Sequence, residues 1–358
     1  MKKLLSLFIF ASILLVLAAC GGKETTDTPA TEEASADKLS IYTTVYPLQY
    51  FAERIGGDFV EAQSIYPAGA NEHTFEPTQK DMMALADADY FFYIGLGLEG
   101  FVEKAKTTLA NEDVTLVPVA ESVTEEQLHI STGHTHAEAV EAHEEDEHEG
   151  HNHEAHEEDE HEGHNHEAHE EHAAADEHEG HNHSDHDAHV WLSPVISKDL
   201  ALTIKNELAK ALPEQDAYFT ENYNALAAEL DALHNDFTTM AEGVNAKTFF
   251  VSHAAFGYIA GHYGLTQVPV AGLNSQSEPS QKELTTIVDL AKKENIQYIF
   301  FEQNVSSNLA SVIQKEVGAD TLILHNLSVL TPDDVKNNEN YFTLMRKNID
   351  VLKQALTK

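Results

Sequence analysis

Residues 214–242 read EQDAYFTENYNALAAELDALHNDFTTMAE. No proline or glycine interrupts the run, and Leu226, Leu230, Leu233 and Phe237 recur at spacings of three and four. This is one apolar face of a long helix. On both sides of it, short β-rich segments alternate with helical patterns. Candidate strands are 39–45, 60–66, 90–94 and 115–119 before it, and 248–251, 298–301 and 321–324 after it. Helical patterns occupy 47–55, 79–86, 101–109, 256–262, 281–294 and 309–317. Such alternation belongs to α/β layers with mainly parallel sheets. The expected fold is two α/β lobes on a long rigid helix: a first lobe over 39–213, the linking helix over 214–242 and a second lobe over 243–358.

The chain of 358 residues carries 61 acidic side chains against 21 basic ones, for a formal charge of −40. Nucleic acid and anionic membrane surfaces repel such a polyanion, so neither is an expected partner. The single cysteine, Cys20, excludes an intrachain disulfide framework and a cysteine-based zinc site. Residues 1–19 combine two early lysines, a short apolar run and small residues at the end, the pattern of a signal peptide. Leu17-Ala-Ala-Cys20-Gly21 resembles the lipobox of bacterial lipoproteins. That resemblance implies cleavage before Cys20 and lipidation of its sulfur, with palmitate as one such acyl group. Residues 20–38 have little to bury and read as a flexible tether. The expectation is a protein held to the membrane by lipid and working on its extracytoplasmic face.

Histidine is abundant, at 23 residues. Sixteen of them fall between His134 and Asp187, beside 21 carboxylates and no Lys or Arg. The 13-residue string HEEDEHEGHNHEA occupies 143–155 and repeats unchanged over 156–168. An insertion over 134–187 without aliphatic periodicity cannot build a core and is expected to be disordered without metal. Imidazole and carboxylate at this density offer many weak sites for Zn(II), Cu(II) or Ni(II). The run contains no HExxH, so a helical metalloprotease site is not supported.

Three histidines stand outside this low complexity. His73 lies in PAGANEHTFEP (67–77), a loop after a predicted strand. His189 lies in DAHVWLSP (187–194), where ordered sequence resumes. His253 lies in FFVSHAAF (249–256), between a predicted strand and a predicted helix. Open α/β sheets place ligands at the carboxyl ends of strands, which fits a shared metal site. His129, His234, His262 and His325 lack that context and are read as structural.

The lipobox, YPAGANEHTFEPT, the histidine-rich insertion followed by DAHVWLSP, and FFVSHAAFGYIA together resemble the zinc-binding receptors of bacterial ABC importers. The resemblance covers nearly all of 39–358. It implies two α/β lobes joined by one rigid helix with metal in the cleft between them, and His73, His189 and His253 as ligands. Related manganese receptors usually carry a carboxylate at the third position. His253 there favours Zn(II), as does the preference of zinc for imidazole and of manganese for oxygen. Many relatives supply a late-loop carboxylate, but 325–331 offers Ser328. Glu72 is the candidate fourth ligand, with water as the alternative. Glu302 is expected to brace a loop or a ligand rather than to bind metal.

The implied function is a high-affinity extracytoplasmic Zn(II) receptor, not an enzyme. It would be a monomer, lipid-anchored at the cell membrane of a Gram-positive host, delivering zinc to an ABC permease. The alternative is a surface zinc buffer or adhesin in which the histidine-rich run is the functional part. A zinc hydrolase with Glu72 as base is the remaining reading, with no nucleophile motif to support it.

Overall fold

A computed structural model describes residues 38–133, 186–304 and 307–357. The expected signal peptide, Cys20, nearly all of the tether and the histidine-rich insertion up to residue 185 lie outside the described residues.

Strands β1 (Leu39–Thr43), β2 (Val60–Ser64), β3 (Tyr90–Tyr93) and β4 (Thr115–Pro118) form a parallel sheet in the order β2-β1-β3-β4. Strands β5 (Thr248–His253), β6 (Thr266–Ala271), β7 (Tyr298–Phe301) and β8 (Asp320–Ile323) form a second parallel sheet, ordered β6-β5-β7-β8. Each order reverses between its first and third strands, where open α/β sheets leave a crevice at the carboxyl ends. Strand β6 was not among the expected strands, and its sequence TQVPVA contains Pro269. It lies at the edge of its sheet, where a proline is tolerated.

The helices are α1 (Tyr46–Gly56), α2 (Gln79–Ala86), α3 (Val102–Thr108), α4 (Glu125–Leu128), α5 (Pro194–Ala211), α6 (Asp216–Gly243), α7 (Gly257–His262), α8 (Gln281–Lys293), α9 (Asn308–Val317), α10 (Pro332–Lys336) and α11 (Tyr341–Leu356). The long helix α6 buries Leu226, Leu230, Leu233 and Phe237 completely. Truncating one of those leucines to alanine would cost about 2–5 kcal/mol. Helix α6 packs against α5, α1 and α11, so the spine is a helical cluster rather than one isolated rod. Helix α5 starts with Pro194 in its first turn and with the Ser193 hydroxyl accepting the Ile196 N–H at 3.2 Å.

One apolar core runs from Ile41 and Phe92 of the first sheet through Trp191 and Leu226 to Phe249, Phe300 and Tyr341. A smaller core holds Phe250, Val268 and Ile299 of the second sheet against Ile287, Leu290 and Ile313. Because the larger core crosses the spine, the lobes are packed to each other through apolar contact, which restricts their relative motion. Among the described residues no helix is long and apolar enough to cross a membrane.

Candidate metal centre

The two strands that flank the reversal in the second sheet carry its chemistry. His253 ends β5, and Glu302 follows β7 directly. Glu302 Oε1 meets His253 Nδ1 at 2.5 Å and accepts the Ser252 hydroxyl at 2.7 Å. The first lobe supplies Glu72 and His73 from the loop between β2 and α2. There the His73 N–H donates to the Asn71 side chain at 2.9 Å, a local turn that sets the loop. His189 stands just before a 3₁₀ turn, Val190–Leu192. Asp187 Oδ1 accepts the His189 backbone N–H at 2.9 Å and meets its Nδ1 at 2.7 Å.

These segments bring three imidazoles face to edge. Ring centroids are 5.2 Å apart for His73 and His189, 5.5 Å for His73 and His253, and 5.2 Å for His189 and His253. Glu72 joins them: one donor atom from each of the four side chains lies within 4.8 Å of all the others. Glu72, His189 and His253 are essentially sealed from solvent. The buried Nε2 of His73 has no hydrogen-bond partner among the described residues. Nε2 of His253 lies 3.3 Å from Nε2 of His189. Two nitrogens bound to one tetrahedral zinc, each about 2.0–2.1 Å away, are separated by about that distance.

The carboxylates behind the rings fix the tautomers. With Nδ1 of His189 donating to Asp187 and Nδ1 of His253 donating to Glu302, each Nε2 turns a lone pair inward. Burial would lower the pKa of His253, but the Glu302 carboxylate outweighs it, and the net shift is upward. Glu302 and Asp187 show the converse. Burial alone would raise them, and their paired imidazoles bring them below the ordinary carboxylate range. Among the described residues His73 has no such carboxylate, and burial, then the neighbouring imidazoles, push it far down. It is neutral across the physiological range.

Glu72 is held by the second lobe. Its Oε1 accepts from Asn326 Nδ2 at 3.1 Å and its Oε2 from Asn304 Nδ2 at 3.1 Å. Asn326 Nδ2 also reaches Glu302 Oε2 at 2.9 Å, so one amide sits between two carboxylates. Ser328 belongs to this network, donating to Asn326 Oδ1 at 2.9 Å, and is not part of the four-residue cluster. Sequence reasoning did not single out Asp187, Asn304 or Asn326. Asp187 was legible, two residues before His189; the asparagines were not.

Three of the four histidines read as structural have ordinary bracing contacts. His234 Nδ1 meets the Tyr263 hydroxyl at 3.2 Å, His262 Nδ1 the Tyr258 carbonyl at 3.1 Å, and His325 Nε2 Asp334 at 3.1 Å. His129 differs, because it groups with Glu125 and His186 as a second cluster of potential donors.

Two parallel α/β lobes on a shared helical spine, with buried imidazoles where they meet, are the architecture of a two-lobed binding protein. The chain belongs to the family described as zinc-uptake complex component A, periplasmic, whose match spans residues 41–355. This is a family of metal-uptake components, not of enzymes. The chain is 34% identical over 355 residues to the high-affinity zinc uptake system protein ZnuA of Bacillus subtilis, covering 99% of this chain and 98% of that one. It is also 34% identical over 330 residues to the zinc-binding protein AdcA of Streptococcus pyogenes. There the match takes in 91% of this chain but only 58% of the streptococcal protein. The crystal structure of the Zn(II)-bound ZnuA-like domain of Streptococcus pneumoniae AdcA superposes with a TM-score of 0.65 at 29% identity, covering 90% of this chain and all of that domain.

Proposed function

We propose that this protein is an extracytoplasmic zinc receptor that holds one Zn(II) between Glu72, His73, His189 and His253 and delivers it to a membrane ABC permease. Zinc here is cargo, bound and released rather than consumed. The observation that carries the reading is the set of inward nitrogens: the Nε2 of His73, without a partner among the described residues, beside two more Nε2 atoms 3.3 Å apart. A buried imidazole nitrogen with no partner is costly, and a metal ion is the partner this geometry suits. Three imidazoles also favour zinc over manganese. Glu72 completes a tetrahedron by leaving Asn304 and Asn326. Asp187 and Glu302 offset the remaining charge while orienting the rings.

The domain reading follows from the same proposal. Residues 1–19 direct export, Cys20 carries the lipid and 20–38 tether the receptor to the outer face of a Gram-positive membrane. The lobes over 39–213 and 243–358 hold the ion between them beside the linking helix. The histidine-rich insertion raises the local zinc concentration, since tethered capture makes the following transfer intramolecular.

The test is a zinc titration of the full chain against a tight competing chelator, with bound ions counted by native mass spectrometry. One zinc should resist the chelator and resist displacement by manganese. In the double variant His73→Ala, His253→Ala that ion should be lost, while the weaker zinc of the insertion remains. Retention of one chelator-resistant zinc in the double variant would refute the assignment.

A further inference from the structure

Outside the buried centre, a second group of donors converges from the segment before the histidine-rich insertion and from the insertion's last residues. Glu125 opens α4, His129 follows its last residue, and His186, near the end of the insertion, is the residue at which the described chain resumes. Glu125 Oε2 lies 3.1 Å from His186 Nε2 and 3.9 Å from His129 Nδ1. The two rings stand 5.3 Å apart at 74°. One donor atom from each of the three lies within 4.8 Å of the other two.

The group is held from both sides. Thr124 and Gln127 form a reciprocal cap at the start of α4, and Gln127 Nε2 donates to Asp199 of α5 at 2.6 Å. Nδ1 of His129 meets the Glu125 carbonyl at 2.6 Å, one helical turn back, which places the proton on Nδ1 and the lone pair on Nε2. On the other side, the Ser131 hydroxyl donates to Asp187 Oδ2 at 2.5 Å, tying the segment after α4 to the residue after His186. Gly257 packs against this junction so closely that a Cβ there would fall 2.1 Å from Ser131 Oγ and 2.9 Å from Asp187 Oδ2. The spacing of the three donors therefore depends on buried contacts, although Glu125 and His129 themselves are exposed.

We propose that Glu125, His129 and His186 form a second, solvent-facing site for a divalent transition-metal ion. Two imidazoles and one carboxylate make a donor set for Zn(II), and equally for Cu(II) or Ni(II), with a coordination position left to water. Read only as a surface ion pair, the cluster would contribute little to stability. Read as a site, it holds its ion more loosely than the buried cluster, because its ligands are wet and less restrained. It lies at the outer end of the segment His186-Asp187-Ala188-His189, whose other end enters the buried centre. A role as a staging position for metal bound inward rests on the zinc-receptor reading; the site itself does not.

The experiment uses the full metal-free chain, zinc chloride and histidine acylation by diethylpyrocarbonate, mapped residue by residue by peptide mass spectrometry. His129 and His186 should lose reactivity together, over one zinc range. Glu125→Gln should shift that range upward by at least about tenfold for both residues. His129→Ala should restore the reactivity of His186. The proposal is overturned if His129 stays reactive while the histidines of 134–183 become protected. It is equally overturned if His129 and His186 respond at unrelated concentrations, indifferent to Glu125→Gln. Failure of the buried-site reading would show differently, as the absence of a chelator-resistant zinc with protection of His129 unchanged.

Discussion

Both sheets reverse strand order in the same way, and both bury a glutamate beyond their third strand, yet the two carboxylates do opposite things. Glu99, in the loop after β3, accepts the Thr44 hydroxyl at 2.8 Å and the backbone N–H groups of Ile94 and Gly95 at 2.8 and 3.0 Å. Burial dominates there and pushes its pKa up to about 7. Glu302, after β7, faces the imidazole of His253, and its pKa is lowered. A carboxylate at a topological switch point is therefore not a site in itself. Closed on backbone donors, it braces a loop; aimed at a histidine whose other nitrogen faces two more imidazoles, it orients that ring.

The largest separation between the two should appear in zinc affinity. Glu302→Gln is expected to weaken binding by about 10–100-fold, and Asp187→Asn by a similar factor, through loss of ring orientation and basicity. Glu99→Gln should leave the affinity unchanged within error. Competition titrations of the three variants check this, and an equal loss in Glu99→Gln would erase the contrast.

The second separation is in pH dependence. On the proposed assignment, zinc displaces a proton from His253, whose pKa lies above the ordinary value of about 6.5. Affinity should therefore fall as pH drops through that raised value, and Glu302→Gln should move the midpoint of the fall downward. His73 adds no competing proton near neutrality. An unchanged midpoint in Glu302→Gln would contradict the pairing.

The smallest effect is in the stability of the metal-free protein. A carboxylate raised in the folded state stabilises below its unfolded pKa, and that contribution is lost as pH rises through the folded value. For Glu99 the window runs from about 4.5 to about 7. In Glu99→Gln, denaturant unfolding should lose this descending limb. A wild-type curve that is flat across the window would place the cost of burial elsewhere.

The helical spine and seven of the eight strands were legible because their signals are local: a 3–4 apolar repeat, and β-rich runs bounded by turns. Strand β6 was not among them; it contains Pro269, whose meaning depends on lying at a sheet edge. Helix α5 carried visible marks in Ser193 and Pro194, but its role beside α6 is tertiary. At the centre, His73, His189 and His253 stood out as histidines at element ends, and Glu72 by adjacency. Asn326 lies more than 130 residues from Trp191, whose indole N–H donates to its carbonyl at 2.7 Å, and it joins both carboxylates only through folding. His129 was read as structural because it lacks the element-end context of the other three, and His186, with which it groups, lies 57 residues on, near the end of the histidine-rich insertion.

The most direct measurement is anomalous diffraction at the zinc edge on crystals of the chain loaded with one equivalent of zinc. The account predicts one dominant peak, about 2.0–2.1 Å from Nε2 of His73, His189 and His253, with Glu72 turned away from Asn304 and Asn326. A dominant peak elsewhere, or one that leaves His73 Nε2 unbound, would contradict it.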